Sequence, residues 1–124
     1  MRVIGSRSVS GAGADSDGEV VLLDALHAAG LTEFVRHPPV GLRDGSTIHP
    51  DLGVPAVGFY VEVDHHSWHT QVADVEYDKQ RDLELRLTGG VVERVPTSQI
   101  EHALATVVAN IALRYRQHLA LHRR

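Results

Sequence analysis

Three carboxylates and several imidazoles lie within one segment, His49–His69, where they could hold a divalent metal. Glu62 and Asp64 are two residues apart on a stretch, Phe59–Val63, whose aromatic and β-branched residues predict a strand, so both carboxylates point to one face of a sheet. Asp51 lies upstream, on the other arm of a predicted hairpin. Divalent ions held by carboxylates neutralise phosphate charge and activate water, as phosphodiester hydrolysis at neutral pH requires. The segment therefore suggests a divalent-metal phosphodiesterase site.

Each residue type in this set suits a different role. Mg²⁺ prefers oxygen ligands and typically takes one or two carboxylates while retaining waters, and Mn²⁺ is the expected substitute. Asp51 and Glu62, on adjacent strands, are the predicted metal ligands, with Asp64 as a further ligand or supporting acid. His69 is predicted to act as general base or to orient water, since the unperturbed pKa of histidine is about 6.5. Glu19, from the first helix, would complete the site through a bridging water.

A zinc site built from histidines is an alternative, because imidazole suits zinc. His65 and His66 are adjacent, however, and adjacent side chains in a strand do not easily converge on one ion. These two residues are interpreted as polar loop residues, and Trp68 as a packing residue under the second helix. Of the histidines, His69 keeps the better claim to a role in the site.

Composition limits the kind of protein. The 124 residues suffice for one compact domain, and a net charge of −4 argues against bulk electrostatic binding of nucleic acid, though not against a local basic surface. The absence of cysteine excludes disulfides, cysteine-zinc sites and a thiol nucleophile. We expect a cytoplasmic protein, since neither a signal-peptide pattern nor a membrane-length apolar run is present. Oligomeric state is not predicted.

The N-terminal third is predicted to contain an arm and a first helix. Residues 1–15 are rich in Gly, Ser and Ala and are interpreted as a flexible arm, or the remnant of an upstream domain, before a domain over residues 16–124. Ser16 and Glu19 have the spacing of a capping box, and Gly30 supplies the helix stop. Glu19 is thus interpreted first as a capping residue and second as a site carboxylate.

The remaining elements are predicted to form a small mixed sheet flanked by helices. Thr47–Leu52 and Phe59–Asp64 should pair as antiparallel strands connected by Gly53–Gly58, after a short strand in Thr32–His37 and a turn at Leu42–Ser46. The later predicted elements are a helix over Val72–Leu87, a strand over Val91–Val95, and a long helix from a Ser98/Glu101 capping box to about His118. The order α-β-β-β-α-β-α indicates an α/β or α+β fold.

Two charged segments have a plain structural interpretation. Asp78, Arg81 and Asp82 are typical of a solvated helix face with salt bridges. The basic segment Arg114–Arg124 suits the C-terminal end of a helix, with contact to nucleic-acid phosphates as the alternative.

The order of these motifs along the chain resembles that in the PD-(D/E)XK (restriction endonuclease-like) nuclease superfamily, in particular in small domains related to very-short-patch-repair endonucleases. Those domains share a first helix with Glu, then Asp, Glu-x-Asp on a strand, an aromatic-His pair, an Asp-x-x-Arg-Asp helix and an Arg-containing strand. The corresponding residues here are Ser16/Glu19, Pro50-Asp51, Glu62-Val63-Asp64, Trp68-His69, Asp78-Lys79-Gln80-Arg81-Asp82 and Val91–Val95. No single motif is specific, whereas the ordered set over roughly residues 16 to 115 is considerably more so.

The resemblance implies a restriction endonuclease-like fold and a Mg²⁺-dependent DNA endonuclease, with the residue roles given above. One departure concerns the lysine that the superfamily usually places in Glu-x-Lys, where this chain has Asp64. The change removes an obvious charge-stabilising cation, whose place Lys79 or Arg81 could take. Together with the acidic net charge, it supports an alternative: a cleavage-inactive nuclease-fold module for DNA binding or protein interaction.

Overall fold

A four-stranded mixed sheet forms the centre of the fold, in a computed structural model that describes residues 10–64 and 72–122, with side chains over 17–64 and 79–121. Its strands, in spatial order, are β1 (Val35–Arg36), β4 (Leu52–Val54), β5 (Phe59–Asp64) and β6 (Val91–Pro96). Strand β5 pairs antiparallel with β4 and parallel with β6. The strands β2 (Val40–Gly41) and β3 (Thr47–Ile48) form a separate antiparallel pair.

Helices cover both faces of the sheet. They are α1 (Ser10–Ala28), α2 (Val72–Leu87), α3 (Thr97–His102) and α4 (Leu104–His122), with a 3-10 turn over Pro55–Val57. On one face Phe59, Val61 and Val63 of β5 pack in the main core with buried residues of α1 and α4. On the other face Tyr60 packs with Leu85 of α2. Because side chains alternate along a strand, Glu62 lies on the same face as Tyr60.

Aromatic rings fix the main core. Phe34, Phe59 and Tyr115 make edge-to-face contacts, with ring centroids 5.0 to 5.9 Å apart. The Tyr115 hydroxyl donates to Glu33 at 2.7 Å. This cluster attaches helix α4 to the start of β5, so the strand that carries Glu62 has a rigid support.

The sequence predicted the α/β class and several elements. The mixed sheet flanked by helices is confirmed, and α2 has the predicted bounds. The predicted turn joins β2 to β3, with Gly45 at φ 91°. Residues 1–9 are not described, so the division into an arm and a domain stays a prediction. None of the helices in the described part of the chain has both the length and the apolar character of a membrane span.

The first helix and the predicted hairpin have different bounds from those expected. Helix α1 begins at Ser10 instead of Ser16, so Glu19 lies inside the helix, and its carboxylate contacts β1 instead of capping the N-terminus. The strand that pairs with β5 is β4 and not Thr47–Leu52, because Thr47 and its neighbour Ile48 pair with β2.

The predicted long C-terminal helix is divided in two. It breaks at Ala103, whose φ of −147° and ψ of 42° are not helical, so α3 and α4 are separate helices. The Ser98/Glu101 capping box is also wrong. Helix α3 starts directly after Pro96, at Thr97, and no side chain caps it.

Gly53 lies under the ring of Tyr60, and we expect Gly53→Ala to destabilise the fold by about 1–3 kcal/mol. A methyl group added there would lie 2.5 Å from Tyr60 Cδ1 and 3.0 Å from the Phe59 carbonyl oxygen, so the ring or the strand has to move. The measurement is urea unfolding followed by circular dichroism. Gly41→Ala is the control, because nothing lies within 4 Å of an added methyl in that strand. Equal stabilities for the two variants would contradict the prediction.

Candidate metal centre

Glu19 is a buried carboxylate that α1 presents to the end of β1. The residue is 6% exposed, and its Oε1 accepts hydrogen bonds from Arg36 Nη2 at 2.9 Å and Nε at 3.2 Å. His37 Nε2 lies 2.9 Å from the same oxygen. The backbone of His37 has φ 50°, a left-handed conformation that costs a non-glycine residue about 1 kcal/mol or more. Such strain is often found at functional sites.

Asp51 and Glu62 meet across the β4–β5 pair. Because Leu52 pairs with Val61, the preceding residue Asp51 lies opposite Glu62. The Asp51 amide donates to Glu62 Oε2 at 3.2 Å, and the Val63 amide donates to Asp51 Oδ2 at 2.8 Å. The backbone thus fixes both carboxylates. The half-buried Asp51 is close to both Glu19 and Glu62, which are buried.

The charges of these acids disfavour one another. Burial, and then the charge of Asp51, raise the pKa of Glu62 to about 7, against the opposing effect of Arg81. The same two causes, burial first and Asp51 second, raise the pKa of Glu19. In a low-dielectric environment the repulsion between neighbouring carboxylates is reduced either when one of them binds a proton or when a cation binds between them. The electrostatics of the cluster therefore fit a bound cation.

The ligand geometry agrees with this inference. One ligand atom from each of Glu19, His37 and Asp51 lies within 4.8 Å of the others, a spacing that a single metal ion can bridge. Glu62 adjoins this group through the Asp51 amide. The donors are two carboxylates and one imidazole, a set suited to divalent ions that accept both oxygen and nitrogen.

Arg36 and His37 are functional candidates that the sequence reading missed. They were assigned only to a short strand, yet β1 pairs with β4, and the His37 amide donates to the Asp51 carbonyl at 2.9 Å. The available signal was a basic pair directly before Pro38-Pro39, where a strand has to end. A basic pair at a strand end is a candidate partner for nearby carboxylates.

Arg81 and Asp82 of α2 do not lie on a solvated face, which corrects their interpretation. Arg81, with a side chain 19% exposed, donates from Nη1 to Glu62 Oε1 at 3.3 Å and from Nη2 to the His49 carbonyl at 3.2 Å. Asp82 is buried and accepts from Arg94 of β6. Lys79, the other candidate for the missing lysine, is exposed.

The other predicted site residues stand differently. Asp64 is exposed at the end of β5, and its charge acts on Arg94. His65, His66, Trp68 and His69 lie outside the described residues, as does the side chain of Asp78. The structure brings together Glu19, Asp51 and Glu62 and adds His37, Arg36 and Arg81.

Comparison with known proteins supplies one similar structure. The chain matches no family model and no curated protein sequence. The catalytic domain of the homing endonuclease I-Bth0305I superimposes with a TM-score of 0.64 and 18% identity, covering 82% of this chain and 95% of that domain. An identity this low shows the fold alone. The chain therefore has the fold of a homing endonuclease catalytic domain.

Proposed function

We propose that the protein is a metal-dependent DNA endonuclease that hydrolyses phosphodiester bonds and resembles very-short-patch-repair nucleases of the PD-(D/E)XK superfamily. The observation that carries the proposal is the convergence of Glu19 of α1, Asp51 directly before β4 and Glu62 of β5 in one mostly buried cluster. The structural likeness supports it, because the similar structure is the catalytic domain of a homing endonuclease. DNA is accordingly the proposed substrate.

Mg²⁺ is the proposed cofactor, with Mn²⁺ as a substitute. Asp51 and Glu62 would hold it, with Glu19 and His37 completing or supporting the ligand set. When bound, such an ion supplies charge neutralisation at the phosphate and an activated water. His69, on the segment after β5, is the proposed residue that orients or deprotonates this water, and Asp64 the proposed supporting acid.

The protein's own cations act on the same carboxylates. Arg36 neutralises Glu19 at 2.9 Å, and Arg81 lies 3.3 Å from Glu62. A metal ion has to compete with both guanidinium groups. These ion pairs specifically favour a second candidate function, the cleavage-inactive module for DNA binding or protein interaction, because in such a module they would replace the metal permanently.

Two measurements separate the candidates. We expect the purified protein to nick supercoiled plasmid DNA with Mg²⁺ or Mn²⁺ and to stop when EDTA is added. Calorimetric titration should show Mn²⁺ binding to the same preparation. No nicking with either ion would show the endonuclease proposal to be wrong, and DNA binding without Mn²⁺ binding would establish the module. Zinc in elemental analysis would instead favour the histidine-based hydrolase.

A further inference from the structure

Two arginines flank Glu62 on the face of the sheet that α2 covers. Arg81 reaches Glu62 Oε1 from α2. Arg94 is the partner of Glu62 in the parallel register between β5 and β6, and residues paired in this way have side chains on the same face. Glu62 and Asp64 both act electrostatically on Arg94. Positive charge from two elements therefore lies beside one edge of the candidate metal centre.

Asp82 of α2 holds Arg94 through an ion pair. Its Oδ2 accepts from Arg94 Nε at 3.1 Å and lies 3.0 Å from Nη2. The Asp82 side chain is 10% exposed, whereas that of Arg94 is 34% exposed. The pair is thus buried at its acidic end and accessible at its basic end. Such an arrangement fixes the direction of a guanidinium group while leaving part of it to contact a ligand.

The other carboxylate oxygen of Asp82, Oδ1, makes no hydrogen bond. Among the described residues, Oδ1 is the one buried side-chain nitrogen or oxygen atom without a hydrogen-bond partner. An unsatisfied buried acceptor is destabilising, and such an atom in a native protein calls for an explanation. Asp82 is therefore buried at a cost to the fold, and the contact that it makes there, through Oδ2, is with Arg94.

Arg94 differs from Arg36 because its ion-pair partner, Asp82, is not a candidate metal ligand. Arg36 pairs with Glu19, itself a candidate metal ligand, so the two roles of that carboxylate compete. Asp82 belongs to no candidate ligand group among the described residues, so its pairing with Arg94 is compatible with an occupied metal centre. The acidic net charge of −4 makes such local cations necessary for contact with a polyanion.

We propose that Arg94 is the centre of a phosphate clamp, which binds a backbone phosphate of the DNA strand beside the metal centre, with Asp82 as the positioning residue and Arg81 adding positive charge beside it. A guanidinium group suits this role because its planar donors match phosphate oxygens in pairs. The proposal rests on the proposed function, since it takes DNA as the ligand. It adds the residues that hold the substrate.

The test is the affinity of Arg94→Gln for a short fluorescein-labelled DNA duplex, measured by anisotropy in Ca²⁺ at several salt concentrations, with duplex integrity checked on a denaturing gel. We expect about tenfold weaker binding and a salt slope reduced by about one, because one phosphate contact is lost. Arg43→Gln is the matched control. Arg43 pairs with Glu84 of α2 at 3.4 Å, with a side chain 61% exposed. We expect it to bind within about twofold of the wild type.

Equal losses in the two variants would show a bulk charge effect and overturn the clamp, as would unchanged binding by Arg94→Gln. Removing Arg94 leaves a buried carboxylate unpaired, so its fold is checked by circular dichroism. If it does not fold, Arg94→Lys decides the matter. It keeps the charge beside Asp82 and loses the planar donors, so we expect about fivefold weaker binding with an unchanged salt slope. Wild-type affinity in that variant would overturn the clamp.

Failure of the clamp and failure of the proposed function are distinguishable. Mn²⁺ titration of Arg94→Gln should show metal binding retained while DNA affinity falls, which supports the clamp. A wild type that binds DNA through Arg94 but neither binds Mn²⁺ nor cleaves would overturn the endonuclease and leave the clamp standing. If Arg94→Gln cleaves and binds DNA like the wild type, the clamp proposal is wrong and the endonuclease proposal stands.

Discussion

The Asp51→Asn variant is expected to lose Mn²⁺ affinity and metal-dependent DNA cleavage by at least about 100-fold while it keeps its fold. Asp51 is central in the site: its side chain belongs to the group with Glu19 and His37, and its amide holds Glu62. Asparagine keeps an oxygen that can accept from the Val63 amide. It removes the negative charge that a divalent ion requires.

The fold is expected to survive because two effects oppose each other. The charge of Asp51 raises the pKa of both Glu19 and Glu62, after the larger effect of burial, so removing it relieves repulsion within the cluster. The cost is a weaker hydrogen bond with the Val63 amide, about 1 kcal/mol. Urea unfolding in EDTA should therefore give similar midpoints for variant and wild type.

The control is Asp24→Asn. Asp24 is exposed on α1, the helix that carries Glu19, and is not in the candidate ligand group, so this variant changes net charge by the same amount without removing a ligand. We expect wild-type Mn²⁺ affinity and cleavage. A 100-fold loss confined to Asp51→Asn supports the site. Undiminished Mn²⁺ binding by Asp51→Asn, or equal losses in both variants, would contradict the assignment of Asp51.

The parts of the fold that sequence predicted depend on local patterns. Helix α2 was predicted with its observed bounds because a polar, periodic segment stops at Thr88-Gly89-Gly90, and Gly89 adopts φ 93° there. Strand β5 was evident from its aromatic and β-branched residues. A single strand also determines which residues share a face. The common face of Glu62 and Asp64 was therefore predictable before any pairing was known.

The missed features depend on contacts between distant residues. The Ser16–Glu19 spacing fits a capping box, yet the partners of Glu19 are Arg36 and His37, 17 and 18 residues away. Their approach requires β1 to pair with β4, and two-residue strands leave almost no periodic signal. The pairing of Arg94 with Asp82 likewise requires the register of a parallel crossover. Local sequence does not specify that register.

Glu62→Gln is expected to change the pH dependence of stability in the metal-free protein. Burial, with Asp51 second, raises the pKa of Glu62 from 4.5 to about 7 in the folded state. Between these values the folded protein retains a proton that the unfolded chain releases, so the wild type loses stability as pH rises through this window. The loss is complete above about pH 7 and is on the order of 3 kcal/mol. Glutamine does not titrate, so the variant lacks this loss of stability with rising pH.

The measurement is urea unfolding in EDTA at pH values from 4.5 to 8. The free energy of unfolding of Glu62→Gln, relative to wild type, should increase across this range by on the order of 3 kcal/mol. Glu101→Gln, which removes an exposed glutamate from α3, should follow the wild-type curve. Parallel curves for Glu62→Gln and wild type would show that Glu62 does not titrate near neutrality.

The same variant also separates the two candidate functions. Near pH 8 the ionised Glu62 destabilises the metal-free fold, even with Arg81 beside it. An endonuclease has a use for that charge, so Glu62→Gln should be the more stable protein above neutrality and yet lose Mn²⁺ binding and nicking. A cleavage-inactive module has no such use, and the variant would then gain stability and keep its DNA affinity. If Glu62→Gln is more stable than the wild type but no longer binds Mn²⁺ or nicks DNA, Glu62 is part of the metal site.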